Sequence, residues 1–153
     1  MITITDALRG EHAVIYRLLS HVESACDDGD LDRTRTLAGE LEAALEAHAR
    51  IEDELLFRDL DGVLPPQGPL AVMRAEHEQI EGLLASFPDL SDAGEACRRV
   101  RRLTAVARDH FAKEEQVLFP MAERMLPPAR LRELGERWAA ECGVAIPAAP
   151  ACG

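Results

Sequence analysis

Apolar side chains recur at intervals of three and four residues along most of the chain, which is the spacing of one face of an α-helix. Alanine, leucine, glutamate and arginine, all strong helix formers, are abundant, and alternating runs of β-branched residues are absent. The pattern therefore predicts an all-α protein.

Turn-forming residues divide this pattern into four long segments and a short fifth one. A cluster of prolines and glycines from Pro65 to Pro69 makes the clearest break, and Pro69 suits the first turn of the helix that follows. The predicted helices are about 5–26, 30–60, 69 to about Ser86, 92–125 and a short one after Pro128, with Asp30 and either Ser91 or Asp92 as N-caps and a bend at Pro120.

Four long helices with short links fold most simply into an up-down-up-down four-helix bundle. The chain has 153 residues, which is enough for a single domain with one core. We expect residues 1–142 to form this bundle, with the short C-terminal fifth helix covering an open edge, and residues 143–153 to form a flexible tail.

Each predicted helix carries a histidine on its inward apolar stripe, and two helices add a glutamate one turn later on the same face. The four stripes are Leu8, His12, Ile15, Leu19 and Val22; Leu41, Leu45, His48, Glu52 and Leu55; Leu70, Met73, His77, Ile80 and Leu84; and Val100, Leu103, Ala107, His110, Glu114 and Val117.

Glu52 and Glu114 are the informative members of these stripes. A lone histidine on an apolar stripe is usually a core residue, but an ionised carboxylate in a core costs several kcal/mol unless a cation neutralises it. No lysine or arginine shares the stripes at this level. The set His12, His48, Glu52, His77, His110 and Glu114 therefore predicts a metal site.

Six ligands are too many for one tetrahedral zinc ion. If both glutamates bridge, an oxo or hydroxo group brings each of two ions to about five ligands and leaves room for a small molecule. Imidazole with carboxylate suits iron, manganese or zinc, and iron is the usual redox choice. We expect a dinuclear centre with an oxo or hydroxo bridge.

The chain also contains an internal repeat. Positions 11–19 recur at 76–84, and positions 48–57 recur at 110–119, with shifts of 65 and 62 residues. The order H…HxxxE…H…HxxxE resembles the hemerythrin-like HHE cation-binding domains over roughly residues 5–125. The resemblance implies a non-haem di-iron protein that binds or senses iron, dioxygen, peroxide or nitric oxide. The expected cofactor is therefore two iron ions in an oxo- or hydroxo-bridged di-iron centre.

Two positions depart from the oxygen-carrying hemerythrins. Those proteins are similar but have a second histidine one turn after the one on the third helix, where this chain has Glu81, and their fourth helix has His-x-x-x-x-Asp. With one neutral imidazole fewer, and one carboxylate more if Glu81 binds, we expect the ferric state to be favoured and reversible oxygen carriage to be weakened. Glu81 is either a further ligand, an acceptor for an imidazole N–H, or a surface acid. Tyr16 lies one turn after His12, either near the metals or at the core edge.

Other residues near the stripes receive weaker assignments. Asp53 and Glu115 follow the ligand glutamates but point about 100° away, so they are solvated or contact the ligands from outside. His21 is expected on the surface. The four cysteines, Cys26, Cys97, Cys142 and Cys152, have no metal-binding spacing and are expected to be free thiols.

The formal net charge of −11 argues against nucleic acid and anionic membranes as partners. The basic run 98–102 is best explained as a solvated helix face. No apolar run is long enough for a membrane span, and the N-terminus lacks signal-peptide features, so a cytoplasmic location is expected.

Three functions fit these features. The first is a di-iron protein that binds or senses a small molecule such as dioxygen, peroxide or nitric oxide. The second is a di-iron oxidase, oxygenase or peroxide-decomposing enzyme, because fold and ligand set do not fix the chemistry. In the third, the metal only stabilises an interaction module. The sequence does not reveal which protein partner, if any, reads out the state of the centre.

Overall fold

The computed structural model describes residues 2–85, 87 and 91–146, and the regular secondary structure within them is entirely helical. This confirms the all-α prediction. Two of the long helices each contain a wider π-helical segment, Glu52–Phe57 and Glu114–Leu118. The helices are α1 (Ile4–Asp27), α2 (31–60, made of Leu31–Ile51, Glu52–Phe57 and Arg58–Leu60), α3 (Pro69–Leu84), α4 (93–125, made of Ala93–Lys113, Glu114–Leu118 and Phe119–Met125) and α5 (Pro128–Glu141).

Side-chain caps set the helix starts. Thr3 and Asp6 form a reciprocal capping box, so α1 begins one residue earlier than predicted. Asp30 accepts the Arg33 N–H at 3.0 Å at the start of α2. The N-cap of α4 is Asp92 and not Ser91, since the Asp92 side chain accepts the Glu95 N–H at 2.7 Å. Helix α3 ends at Leu84, and its predicted end near Ser86 lies outside the described residues.

Helix α1 packs against α2, α4 and α5, and α3 packs against α2 and α4. Two apolar clusters fill the interior. One includes Leu8, Leu56 and Phe119, and the other includes Leu19, Leu41 and Leu103. The histidine-bearing positions of the stripes lie between these clusters, so the polar layer has an apolar core on either side.

The π-helical segments change which residues face inward. The Phe119 N–H donates to the Glu114 carbonyl, five residues back, and Pro120 has no N–H to offer the ordinary helical pattern. The prediction that Val117 faces the core is wrong, because its side chain is 50% exposed while Leu118 is 1% exposed. The extra residue in the turn rotates the following face by one position.

Cys26 and Cys97 form a disulfide that joins the end of α1 to the start of α4, with their Cα atoms 5.3 Å apart. The expectation of free thiols is therefore wrong for this pair. The two residues are separated by 71 positions, and only the packing of α1 on α4 brings them together. Cys142 is a free, exposed thiol, as expected, and Cys152 lies outside the described residues. Disulfides are rare in reducing compartments, so the cytoplasmic location stays a prediction.

None of the helices in the described part of the chain is both long and apolar enough to cross a membrane.

Helix α5 docks through close backbone contact and an ion pair. The Arg130 guanidinium donates to both carboxylate oxygens of Asp59 on α2, at 2.5 and 2.9 Å. Gly135 lies against the backbone of Ile2 and Thr3, and a Cβ atom there would stand 2.5 Å from the Ile2 carbonyl oxygen. The absence of a side chain at Gly135 is what allows α5 to lie this close to the chain entering α1.

We expect Gly135→Ala to lower the free energy of unfolding by about 1–3 kcal/mol, because backbone must move to admit the methyl group. Gly39→Ala is the matched control, since this exposed position in α2 has no neighbour within 4 Å of an added Cβ. It should stabilise the protein by roughly 0.5–1 kcal/mol through helix propensity. Urea denaturation measures both variants, and a Gly135→Ala protein as stable as Gly39→Ala would contradict the packing described for α5.

Candidate metal centre

The six residues predicted as ligands meet in the middle of the bundle. Helices α1 and α3 contribute one histidine each, and α2 and α4 each contribute a histidine and the glutamate that begins the π-helical segment. All six are buried: His12, His48, Glu52, His77, His110 and Glu114 are between 0% and 7% exposed.

The four imidazoles form two pairs, each presenting its Nε2 atoms to one point. The Nε2 atoms of His12 and His48 are 3.0 Å apart. Those of His77 and His110 are also 3.0 Å apart. Each pair thus belongs to a separate group of potential ligand atoms, and the two glutamates belong to both groups.

Each glutamate spans the two pairs. Glu52 places one carboxylate oxygen 3.5 Å from Nε2 of His48 and the other 3.4 Å from Nε2 of His77. Glu114 places its two oxygens 3.2 Å from Nε2 of His12 and 3.2 Å from Nε2 of His110. This is the geometry of two bridging carboxylates between two cation positions.

The donor set fits metal ions better than it fits a hydrogen-bonded core. All four carboxylate oxygens of Glu52 and Glu114 are buried and accept no hydrogen bond. Such groups cost several kcal/mol in an apolar interior unless a cation compensates them. Neutral imidazoles with carboxylate oxygens are ligands that suit iron, manganese and zinc.

Comparison with known families agrees with this geometry. The family model for the hemerythrin HHE cation-binding domain matches residues 3–122. The chain belongs to the hemerythrin HHE family. The match confirms the resemblance inferred from the repeated histidine and glutamate motifs, and it ends before α5. Searches among curated proteins and among solved structures found no match for this HHE domain.

A second layer of carboxylates holds the outer nitrogen of three histidines in this HHE domain. Glu11 accepts from Nδ1 of His48 at 2.6 Å. The corresponding distances are 2.8 Å from Glu115 to His12 and 2.9 Å from Glu76 to His110. A carboxylate at Nδ1 fixes the tautomer, so that Nε2 carries the lone pair needed for a metal.

His77 is the exception. Its Nδ1 atom is buried and has no hydrogen-bond partner, and the nearest carboxylate oxygen, on Asp53, is 3.9 Å away. In the repeat Asp53 corresponds to Glu115, whose side chain is one methylene longer. The shorter side chain leaves the gap at His77.

The sequence alone gives no role at the site to Glu11 or Glu76, although each stands directly before a ligand histidine in the repeated Glu-His pair. Each contacts the histidine of the next helix instead of its neighbour, which the pair alone does not show. Glu115 contacts His12, one of the two roles left open for it. Glu81, Tyr16 and His21 belong to neither ligand group; Glu81 and His21 are exposed, and the Tyr16 ring centre is 6.5 Å from that of His12.

Protons compete with a cation at this centre. Burial, and then the charge of Glu114, raise the pKa of Glu52 well above its usual value. Burial, reinforced by His110, lowers the pKa of His77 to about 4. Burial also acts to raise the pKa of Glu114, but the contacts with His110 and His12 outweigh it and lower that pKa. Without a cation, these shifts favour the protonated form of Glu52 and the neutral form of His77.

We expect Glu52→Gln to stabilise the metal-free protein at pH 7 by about 1–3 kcal/mol, because it removes the cost of burying this carboxyl group. The pKa of Glu52 is raised on folding, so the folded state binds a proton that the unfolded chain releases. The stability of the metal-free wild type should then fall as the pH rises above 4.5, the usual value for this group. The advantage of the variant should disappear below that pH.

Chemical denaturation in the presence of a chelator, at several pH values, measures this difference. Glu40→Gln, at an exposed position on α2, is the matched control and should follow the wild type throughout. Identical pH dependence in Glu52→Gln and the wild type would show that Glu52 is not buried at a cost.

Proposed function

We propose that this HHE domain holds two iron ions and binds or senses a small molecule such as dioxygen, peroxide or nitric oxide. One ion would lie between His12 and His48 and the other between His77 and His110, with Glu52 and Glu114 bridging both. We also propose that the four long helices run up, down, up and down through the bundle. The observation that carries it is the set of four unpartnered carboxylate oxygens between two pairs of imidazole Nε2 atoms.

In this proposal the residues of the chain would bind the iron ions, orient the imidazole ligands and exclude water from the site. Glu11, Glu76 and Glu115 orient three of the imidazoles. The two apolar clusters on either side keep water away from the ligand layer. Iron bound here would supply a ferrous–ferric redox change and a coordination position for a small ligand.

A small pocket reaches the ligand layer between α2 and α3. His48, His77 and His110 are among its lining residues, together with Ala49, Ile80 and Glu81. The repeat explains why the pocket lies on this side. Ala49 follows His48 as Phe111 follows His110, and Phe111 stacks on His12 with ring centres 4.1 Å apart. The second half of the repeat has the large Phe111 ring at this place, whereas the first half has only the methyl group of Ala49, which lines the pocket.

This pocket supports a small ligand at the His77–His110 position. The exposed surface of the pocket is mainly apolar, and the pocket is too small for a large organic substrate, which favours a diatomic molecule or peroxide. The alternative of a di-iron enzyme uses the same centre, and sustained turnover of peroxide by the iron-loaded protein would favour it over binding or sensing.

The first test is the iron content of the protein. Anaerobic reconstitution of the wild type with ferrous iron should give about two ions per chain, as six protein ligands require. His110→Ala should lose at least one ion, because it removes a ligand from one group. His21→Ala should retain both, since His21 is exposed and lies in neither group.

Iron content is measured by elemental analysis, and dioxygen, peroxide and nitric oxide are then added separately while absorption is recorded. A wild type that binds no iron, or binds it equally well without His110, would refute the proposed centre. Two bound ions with a spectrum unaffected by all three molecules would instead support the purely structural role.

The second test concerns the pocket. Ala49→Phe should leave the iron content unchanged, because Ala49 is not a ligand, but fill the opening above His77. We expect nitric oxide to bind the iron-loaded variant about tenfold more slowly, since the new ring must move before the ligand passes. Ala43→Phe, at an exposed position on the same helix, is the control. Stopped-flow absorption measures the rate, and equal rates in both variants would exclude this route.

A further inference from the structure

The internal repeat makes the ligands of the two metal positions nearly equivalent. His12 and His48 on one side correspond to His77 and His110 on the other, with the glutamates shared. Phe119 stacks over His12 and Phe57 over His77, with ring centres 5.5 and 5.7 Å apart. Any difference between the two positions must therefore come from what surrounds the ligands.

At the His12–His48 position, both outer nitrogens are hydrogen-bonded to carboxylates. Glu115 contacts His12, and Glu11 contacts His48. The second oxygen of Glu11 accepts the indole N–H of Trp138, on α5, at 2.6 Å. The indole is neutral, so it fixes the Glu11 carboxylate without cancelling its charge. Among the described residues, no arginine or lysine forms an ion pair with Glu11 or Glu115.

The His77–His110 position has weaker outer support. Glu76 contacts His110, but its second oxygen is paired with the Lys113 ammonium group. Asp53 is 3.9 Å from His77 and lies 3.7 Å from the Arg74 guanidinium, which also pairs with Asp61. Here the nearby carboxylates face cations, and one imidazole has no hydrogen bond at Nδ1.

We propose, on the basis of the proposed function, that the two metal positions are unequal: the His12–His48 position binds a divalent cation more tightly and fills first. Two uncompensated carboxylates increase the donor strength of its imidazoles and attract the cation through space. Lys113 and the gap at Asp53 weaken the other position, which supplies two of the three ligand histidines that line the pocket.

Trp138 is then a positioning residue. It does not contact a ligand histidine but holds the carboxylate that orients His48. It lies on α5, beyond the residues matched by the family model. The docking of α5 thereby links the C-terminal part of the described chain to one of the two metal positions.

The test uses Co²⁺ as a coloured divalent probe, titrated into the full-length metal-free protein against a competing chelator. The wild type should show two successive binding steps. His77→Ala should keep the tighter step and lose the weaker one, and His12→Ala should do the reverse. Loss of the tighter step in His77→Ala, with its retention in His12→Ala, would overturn the proposed order.

Three variants test the cause of the difference. Glu11→Gln should weaken the tighter step by about 10- to 100-fold, as is usual for a carboxylate behind a metal-binding histidine. Trp138→Phe, which keeps an aromatic ring but removes the N–H, should weaken the same step by a smaller factor. Lys113→Met should strengthen the weaker step by about tenfold through removal of a cation. Arg124→Met, an exposed charge change on the same helix, should alter neither step.

Proton NMR of the Co²⁺-loaded protein separates positioning from simple destabilisation. The shifted Nδ1–H signal of His48 should exchange faster with solvent in Trp138→Phe, while that of His110 stays as in the wild type. Unchanged binding constants and exchange in both Glu11→Gln and Trp138→Phe would overturn the inference while leaving the metal site intact. A wild type that binds no Co²⁺ and no iron would refute the metal site itself.

Discussion

Two carboxylates inside an apolar bundle are the constraint on which this structure depends. Glu52 and Glu114 are fully buried, lie between two apolar clusters and accept no hydrogen bonds. Hydrophobic burial alone would select leucine at these positions, since an unpaired buried charge opposes folding. Their presence makes the bundle a compromise in which part of the folding free energy maintains a site for cations.

The sequence predicts the helices and the six inward-facing polar residues well, because both follow from the period of an α-helix. His12, His48 and Glu52 fall on stripes whose other members are leucine, isoleucine and valine. Where the helix departs from that period, prediction fails: the π-helical turn at Glu114–Leu118 exchanges Val117 for Leu118 at the core. Contacts between residues that are distant in the sequence cannot be predicted either, because they depend on packing and not on spacing. The contact of Glu11 with His48 and the disulfide are examples.

The two halves of the repeat are alike in the arrangement of the histidine Nε2 atoms but differ in the side chains behind these histidines. The metal-facing atoms of the two halves have matching distances, whereas the side chains behind them differ in length, charge and partner. The two halves thus share the arrangement of their Nε2 atoms and differ in the charges behind them. The opening beside Ala49 is a further difference of this kind, since Phe111 closes the corresponding space.

Each π-helical segment begins at a ligand glutamate candidate and also positions an aromatic ring. In α2 and α4 the wide turn starts at the glutamate and brings Phe57 or Phe119 onto an imidazole of the opposite half. Deleting one residue from such a turn would restore a regular helix and swing the ring about 100° away from the histidine. The contact between each imidazole and its ring therefore depends on the number of residues in these turns.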